Sequence, residues 1–424
     1  MLTIESYEKD NLKVLGLLVR YRRVNLGLSL RALGDLTNIS HTLISNFERG
    51  VMIPHYETIR DIFEVLKLEF YDHHLILDNF SNVYNKVFKH LLFHEYKEAE
   101  EIIYEIEKDR KIYENSREVI NFTIIRCLFY VLTNTFISEK DKVLSEYEVV
   151  LEFFSDNQKQ MFYFIKGLDK LNQEFYNEAG DYFKKALHIG NSDVDLLINE
   201  YYVTALSKSN MFLTSRDIAK ECIVKYEEQT NYVRAMLVRA KIANDLIRIN
   251  NYEEAKKMYI NIFNFAIKYN VKDLENKCNT WLAFIALLQN EFDLVDKYLD
   301  KVTPGIDTLY YYLKFDILAR AKDKDGIVKL YNKYMSIDWI KNHRKTSNFF
   351  KMVLMRNCEE YMDKKEFERI HLEQIDIAIR SDDTEMFEVT TRYLMNFYKS
   401  ERQYKKGFLI SEKFLQYFLK DTLT

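Results

Sequence analysis

Apolar residues recur at helical spacing near the N-terminus, beginning with Leu12, Leu15 and Val19. Side chains three or four positions apart lie on one face of a helix, so this spacing predicts an amphipathic helix. The same pattern predicts three further short helices up to residue 66 and a fifth that begins near Phe70. We therefore expect a small helical bundle at this end of the chain.

Residues suited to helix ends separate these predicted helices. Ser29 and Ser40 precede the second and third helices, where a hydroxyl can accept a hydrogen bond from a first-turn N–H group. Asn38 can adopt the left-handed backbone between them, and Gly50 suits the position after the third helix. Two short helices joined by such a turn are typical of a DNA-binding helix-turn-helix.

The segment resembles the lambda-repressor-like, or XRE-type, DNA-binding domain. The matching residues are Leu28-Ser29, Ala32, Ile39-Ser40, Ile44-Ser45, Glu48-Arg49-Gly50, Pro54 and Thr58-Ile59. The resemblance implies that the third helix lies in the major groove and that its early residues face base edges. Those residues are His41, Thr42, Ser45 and Asn46. An asparagine can bind adenine through two hydrogen bonds, and a threonine methyl can contact thymine.

The resemblance also implies that four arginines lie near DNA phosphates: Arg20, Arg23, Arg31 and Arg49. Six basic and two acidic residues lie between positions 12 and 50, although the whole chain has a net charge of −4. This asymmetry suits a basic DNA-binding module on an acidic body. Leu30 departs from the family, which usually has a phosphate-binding polar residue there. A helix-turn-helix that makes only protein contacts is the alternative.

The rest of the chain has a repeating pattern. Residues 163–187 resemble a tetratricopeptide unit, because Gly167, Ala179, Phe183 and Ala186 have the spacing of that repeat. Small residues allow two antiparallel helices to approach, and the aromatic ring fills the gap between units. Alignment on the central position predicts about nine hairpins, centred on Ala99, about Val143, Ala179, Ser215, Ala255, Val295, about Val328, Ile370 and Gly407. An unrelated helical array is the alternative, and it would also be a solenoid.

Composition agrees with an all-α chain that resides in the cytoplasm. The 424 residues include 10 glycines and 2 prolines, so tight turns and helix breakers are rare. The four cysteines lie far apart in sequence, which indicates a reducing compartment and neither a disulfide framework nor a zinc site. Neither a signal peptide nor an apolar run long enough to span a membrane is evident, so we expect no membrane association.

A solenoid of this kind lines its inner surface with the first helix of each repeat. Asparagine amides there could hold the backbone of an extended peptide, and cations could hold its acidic groups. The predicted peptide-binding residues, in the middle of the array, are Asn199, Tyr201, Thr204, Lys208, Lys241, Asn244 and Arg248. Further candidates with the same side-chain chemistry are Arg126, Tyr130, Asn134 and Asn396. A solvated helix face is the alternative for each of them.

Motifs for catalysis are lacking. The sequence has no phosphate-binding glycine loop, no HExxH zinc motif and no nucleophile elbow. His90 and His94 lie four positions apart on a predicted helix, but no third metal ligand follows nearby. We therefore expect no catalytic residues, no metal and no cofactor, and the chain is not predicted to be an enzyme.

The combination of an XRE-type domain with a tetratricopeptide array resembles the RRNPP peptide-pheromone receptors, which include the Rgg, PlcR and NprR types. The implied fold is all-α, with a helix-turn-helix domain at 1–69 and a right-handed α-solenoid of about nine hairpins at 70–424. The resemblance implies a homodimeric transcriptional regulator whose partners are double-stranded operator DNA and a short signalling peptide. Two alternatives stay open: an interaction protein that binds a signalling protein of the response-regulator type, and a regulator that needs no ligand.

Overall fold

The computed structural model of the chain describes residues 12–72, 74–133, 147–148, 150–190, 194–304, 308–380 and 384–419. Within these ranges the regular elements are helices, and no β-strand is present. The chain divides into two compact units. The first comprises Met1–Asn172 and Asn177–Ala235, and the second comprises Gln173–Tyr176 and Met236–Thr424.

The first unit begins with the predicted bundle. Its four helices are α1 (Leu12–Asn25), α2 (Leu30–Thr37), α3 (His41–Glu48) and α4 (Tyr56–Leu66). Helices α1 and α2 each pack against both α3 and α4. The fully buried core includes Leu15, Leu33, Ile44, Phe47 and Ile62. Hydrophobic burial of this kind stabilises helices that are too short to be stable alone.

The predicted helix ends are confirmed. The Ser29 hydroxyl accepts a hydrogen bond from the N–H of Ala32 at 3.0 Å, and the Ser40 hydroxyl accepts one from Leu43 at 3.2 Å. Asn38 adopts the left-handed conformation with φ 55°, and Gly50 does so with φ 64°. The turn between α2 and α3 is therefore held by the residues that the sequence indicated.

The prediction of a helix beginning near Phe70 is wrong. Residues 68–72 are not helical, and the next helix, α5, spans His74–Leu77. The Phe70 side chain is buried, and the backbone N–H of Tyr71 donates to the carbonyl oxygen of Asn115 at 2.8 Å. The buried Phe70 ring and this bond hold residues 68–72 in a non-helical conformation, so the helix begins later than predicted.

Further helices follow in the first unit. They are α6 (Phe80–Leu92), α7 (Tyr96–Lys108), α8 (Arg110–Glu114), α9 (Val119–Leu132), α10 (Asp156–Asn172), α11 (Tyr176–Ile189), α12 (Val194–Lys208) and α13 (Phe212–Glu228). Tyr176, the first residue of α11, belongs to the second unit. Leu151–Phe153 form one 3₁₀ turn. Helix α14 (Tyr232–Arg248) begins in the first unit and continues in the second.

The second unit repeats the same construction. Its helices are α15 (Tyr252–Lys268), α16 (Lys272–Leu288), α17 (Phe292–Leu299), α18 (Thr308–Arg320), α19 (Lys324–Met335), α20 (Asp338–Asn342), α21 (Arg344–Asn357), α22 (Lys364–Arg380), α23 (Thr384–Ser400) and α24 (Tyr404–Leu419). Glu359–Tyr361 form a 3₁₀ turn. Consecutive helices pack as hairpins, for example α16 with α17 and α23 with α24.

The predicted repeat register agrees with burial. Ala99, Ala179, Ser215, Ala255, Val295 and Ile370 are all 0 % exposed. In the α18–α19 hairpin the fully buried residue is Ile327, so the register there lies one residue before the predicted Val328. Gly407 is half-buried on α24, and the centre predicted near Val143 lies outside the described residues.

Close helix approach within a hairpin is clearest at Gly167. A Cβ atom added there would lie 2.5 Å from the Phe183 ring of the neighbouring helix, so no side chain fits. The turns between helices use few glycines. Asn210, Asn250 and Asn290 each adopt a left-handed backbone there, and asparagine tolerates this conformation better than most residues.

Candidate functional site

The N-terminal turns of α3 present polar side chains. His41 and Thr42 are exposed, and Ser45 and Asn46 are partly exposed. The opposite face of α3 carries Ile44, Phe47 and Glu48, which are buried. Because the apolar face holds α3 in the bundle, the polar face can make contacts outside it. The structure thus brings together the four residues predicted to face base edges.

Arg49 lies beside this face at the end of α3. Its Nη2 atom donates to Asn46 Oδ1 at 2.5 Å, and its Nε atom donates to the Ser45 carbonyl oxygen at 3.3 Å. Two of the predicted DNA-contacting residues therefore bind each other. The Asn46 oxygen has two lone pairs, so a contact with adenine would either share that oxygen with Arg49 or replace the Arg49 bond.

The four predicted phosphate-binding arginines have different surroundings. Arg31 and Arg49 are exposed. Arg20 forms an ion pair with Glu152 and lies 5.8 Å from the centre of the Phe153 ring. Glu152 lies 132 residues away in sequence, so helical spacing contained no signal of this partner.

Arg23 is held inside the N-terminal bundle of α1–α4. Its Nε and Nη2 atoms donate to the two carboxylate oxygens of Glu48 at 2.6 and 2.7 Å, and Nη1 donates to the Leu28 carbonyl oxygen at 2.7 Å. The side chains of Arg23 and Glu48 are 11 % and 4 % exposed. This paired geometry connects α1 to the end of α3 and gives Arg23 a structural role. No direct signal of this pair is present in the sequence, because the burial of Glu48 is visible only in the structure.

The predicted peptide-binding residues are distributed over two helices. On α12, Asn199, Tyr201 and Thr204 are half-buried and Lys208 is exposed. Tyr201 packs against the first unit's core, with its ring 5.9 Å from that of Phe164. Burial raises the pKa of the Tyr201 phenol well above its ordinary value, and the nearby Tyr96 acts in the same direction.

The other three residues lie on α14, in the part that belongs to the second unit. Lys241 and Asn244 are half-buried, and Arg248 is exposed. The Asn244 side-chain oxygen accepts a hydrogen bond from the Tyr259 hydroxyl, which also donates to the Ala240 carbonyl oxygen. Asn244 therefore already helps to join α14 to α15.

The further candidates have varied positions. Arg126 is buried and forms an ion pair with Glu107, and the Tyr130 hydroxyl lies 3.4 Å from the same carboxylate. Asn396 is exposed on α23, and Asn134 lies outside the described residues.

A buried polar network in the first unit was not predicted. Arg234 and Glu200 are 1 % and 2 % exposed, and both Glu200 oxygens lie 3.2 Å from Arg234 Nη1. The Tyr226 hydroxyl donates to the same carboxylate at 2.9 Å. Burial opposes the charge on Arg234, but the carboxylate of Glu200 raises the pKa of Arg234 well above its ordinary value. The guanidinium is therefore charged.

The same arginine joins distant parts of the first unit. Its Nε and Nη2 atoms donate to the carbonyl oxygens of Leu92 and Leu91 at 3.0 and 2.6 Å, and the Asn231 amide donates to Leu92 at 2.9 Å. These carbonyls end α6 and have no partner within their own helix. The network thus fixes the first hairpin against α12 and α14.

Among the described residues no group of side chains is placed to hold a metal ion. His90 instead contacts Glu95, with 2.7 Å between its Nδ1 atom and the carboxylate. None of the described helices combines the length and apolar composition that a membrane span requires.

Comparison with known proteins supports the architecture. Residues 19–72 match the helix-turn-helix family, so the chain carries a helix-turn-helix domain of the predicted type. None of the curated proteins matches the chain. Similar solved structures include NprR in complex with its cognate peptide NprX, with a TM-score of 0.58 and 17 % identity over 77 % of this chain and 97 % of that one.

Two further structures have the same fold. A Rap protein complexed with competence and sporulation factor has a TM-score of 0.55 and 15 % identity, over 77 % of this chain and 99 % of that one. The apo form of the quorum sensor NprR from B. thuringiensis has a TM-score of 0.54 and 15 % identity, over 80 % and 99 %. The resemblance to the RRNPP architecture is therefore confirmed at the level of the fold, which is a helix-turn-helix domain followed by a helical solenoid.

Proposed function

We propose that this protein is a cytoplasmic transcriptional regulator that binds operator DNA as a homodimer and is switched by a short signalling peptide. The observation that carries this proposal is the exposed polar face of α3 within a matched helix-turn-helix domain. A recognition helix reads DNA through such a face, which inserts into the major groove. We place the DNA-binding domain at 1–69 and the peptide-binding and dimerisation domain at 70–424.

In this proposal the base contacts come from His41, Thr42, Ser45 and Asn46. Arg31 and Arg49 contact phosphates first, because both side chains are exposed. Arg20 and Arg23 would contact phosphates only after leaving the carboxylates of Glu152 and Glu48. A charged partner at short range lowers the gain from a phosphate contact, so we expect smaller contributions from these two residues.

The peptide in this proposal binds the first helices of the solenoid, where Asn199, Tyr201, Thr204, Lys208, Lys241, Asn244 and Arg248 are the proposed contacts. The support is the fold shared with an NprR that was solved with its cognate peptide. Amides would hold the peptide backbone, and cations its terminus or acidic side chains. Asn244 would exchange its bond with Tyr259 for one with the peptide.

DNA binding is tested by selecting bound sequences from a random library with the full-length protein. We expect the Thr42→Ala, Asn46→Ala double variant to lose roughly 2–5 kcal/mol of specific binding at constant salt, with non-specific affinity nearly intact. The matched control is Asn177→Ala with Thr214→Ala, two exposed residues on α11 and α13. Unchanged operator selection by the α3 variant would refute α3 as the reading helix.

The switch is tested by calorimetry with synthetic peptides of roughly five to ten residues, taken from small secreted proteins of the same genome. We expect Lys241→Ala with Asn244→Ala to weaken binding, and Lys257→Ala with Asn261→Ala on α15 to leave it unchanged. Light scattering of the full chain should give a dimer mass. Specific DNA binding without any effect of peptide would favour the ligand-independent regulator.

A further inference from the structure

A cavity of about 430 Å³ lies where the DNA-binding bundle meets the first helices of the solenoid. Its walls come from α1, from residues 67–69 after α4, from α8 and α9, and from Tyr147. All of them belong to the first unit. Cavities of roughly 300–1,000 Å³ are the usual size of small-molecule sites. None of the seven proposed peptide contacts and none of the proposed base contacts lines this cavity, although Arg126, a further peptide candidate, does.

The charges around the cavity are unequal. Five cationic side chains line it, whereas only Glu69 and Glu114 are acidic. Glu69 pairs with Lys111 at 2.6 Å, and Glu114 pairs with Arg110 at 2.6 Å. The third cation, Arg126, pairs with Glu107 behind the wall. The acidic groups of the wall are therefore already matched by cations.

Two cations are left over. Arg22 donates Nε to the Leu66 carbonyl oxygen at 3.2 Å, and Lys67 follows at the end of α4. Neither forms an ion pair with a carboxylate among the described residues. Both side chains line the cavity, and a bound anion would supply the counter-charge that they lack.

The remaining wall is apolar and aromatic. Leu17, Leu18, Leu68 and Val119 contribute aliphatic surface. The Tyr21 and Tyr147 rings meet with their centres 5.3 Å apart. An apolar body could pack against this side while acidic oxygens face Arg22 and Lys67. Sites with an apolar wall and a few convergent polar groups are typical of small organic ligands.

We propose that this cavity binds a small organic anion that has an apolar or planar body and at least two acidic oxygens, from phosphate or carboxylate groups. Arg22 can bind such a group through paired N–H donors, and Lys67 adds a second charge. The ligand would contact α1 and α9 together and would therefore restrain the DNA-binding bundle on the first hairpin. This site is additional to the proposed peptide site, and its test requires neither DNA nor peptide.

The test is isothermal titration calorimetry of the full-length protein at constant ionic strength with three probes. ADP supplies phosphates on a planar body, citrate supplies carboxylates without one, and adenosine supplies the planar body without charge. We expect ADP or citrate to bind with a dissociation constant below about 1 mM, and adenosine to bind at least tenfold more weakly. Tighter binding of ADP would identify a phosphate ligand, and tighter binding of citrate a carboxylate ligand.

Substitutions locate the site. Arg22→Gln with Lys67→Gln should weaken binding of the anion by about tenfold or more, because two charge-assisted contacts are lost. The control Arg60→Gln with Lys86→Gln changes the net charge equally at exposed positions on α4 and α6 and should have no effect. If the double variant misfolds, Lys67→Asn replaces it in the test, because asparagine suits the left-handed backbone at position 67, φ 52°. This variant should weaken binding of the anion about threefold or more. Absence of anion binding to the wild type, equal binding of adenosine, or unchanged binding in the Lys67 variants would overturn the proposal.

Discussion

Helix α3 and the buried network of Glu200, Arg234 and Tyr226 contain polar residues in opposite environments. On α3, His41 and Thr42 are exposed and are supported by an apolar face below them. Between α12 and α14, Glu200 and Arg234 are almost completely buried and bind only other parts of the chain. An exposed polar side chain remains available to a partner. A buried one must satisfy its hydrogen bonds internally, and it therefore determines how helices are placed.

Arg23 is a partly buried, internally bonded residue although it lies in the N-terminal bundle. Like Arg234 with Glu200, it pairs with the buried carboxylate of Glu48, whereas Arg31 is exposed. Arginine is a common phosphate ligand and an equally suitable partner for a buried carboxylate. Which of these roles an arginine has depends on what lies opposite to it.

The largest effect is expected from breaking the buried network. Glu200→Leu leaves the Arg234 charge buried without a partner and should lower the free energy of unfolding of the first unit by about 3–5 kcal/mol. Urea denaturation followed by circular dichroism measures this change. Both tryptophans, Trp281 and Trp339, lie in the second unit, so their fluorescence follows that unit separately.

The control for this experiment is Glu105→Gln, which breaks the exposed pair with Lys108 in the same unit and should change stability by less than about 1 kcal/mol. A double variant, Glu200→Leu with Arg234→Met, should recover part of the loss, because it removes both charges together. Equal stability of Glu200→Leu and the wild type would show that the network does not stabilise the packing of α6, α12 and α14.

A smaller effect is expected from Arg23. Arg23→Ala leaves Glu48 unpaired and should lower stability by about 2–3 kcal/mol. Arg31→Ala should change stability by less than about 0.5 kcal/mol. It should weaken binding to all DNA sequences and reduce the slope of log affinity against log salt concentration by about one. Thermal unfolding and binding at two salt concentrations separate these outcomes. Loss of DNA affinity in a fully stable Arg23→Ala protein would assign Arg23 to the phosphate contacts.

The smallest effect concerns His371 in the second unit. Burial and the neighbouring Arg356 lower the pKa of His371 to about 3. Its Nε2 atom faces Arg356 Nη2 at 2.9 Å, and its Nδ1 atom faces the Phe367 carbonyl oxygen at 2.7 Å, which suits the neutral ring. The unfolded chain binds a proton at higher pH than the folded one. Stability is therefore full above the ordinary histidine pKa and falls as the pH decreases toward 3.

The expected loss of stability from His371 is up to about 1.4 kcal/mol when the pH is lowered by one unit, from 6.5 to 5.5. Urea denaturation followed by tryptophan fluorescence at several pH values measures it. His371→Gln should flatten the pH dependence by that amount, whereas replacing the exposed His188 should not. Parallel curves for wild type and His371→Gln would contradict the assignment of a neutral buried ring.

Much of the fold followed from local sequence signals. Ser29, Asn38, Ser40 and Gly50 marked the helix ends because their effects act within a few residues. The repeat register followed from small residues such as Ala179 and Gly167, since only small residues allow the helices of a hairpin to approach. Phe70 misled the prediction because the bond from Tyr71 to Asn115 links segments 44 residues apart.

The sequence by itself determined the exposed polar face of α3, because amphipathic periodicity indicates which side of a helix is apolar. Only the tertiary structure decided the partners of the charged residues. Arg20 meets Glu152, and Arg234 meets the end of α6, more than a hundred residues away in sequence. Charge interactions depend on distance in space and on burial, and neither quantity is encoded in local sequence spacing.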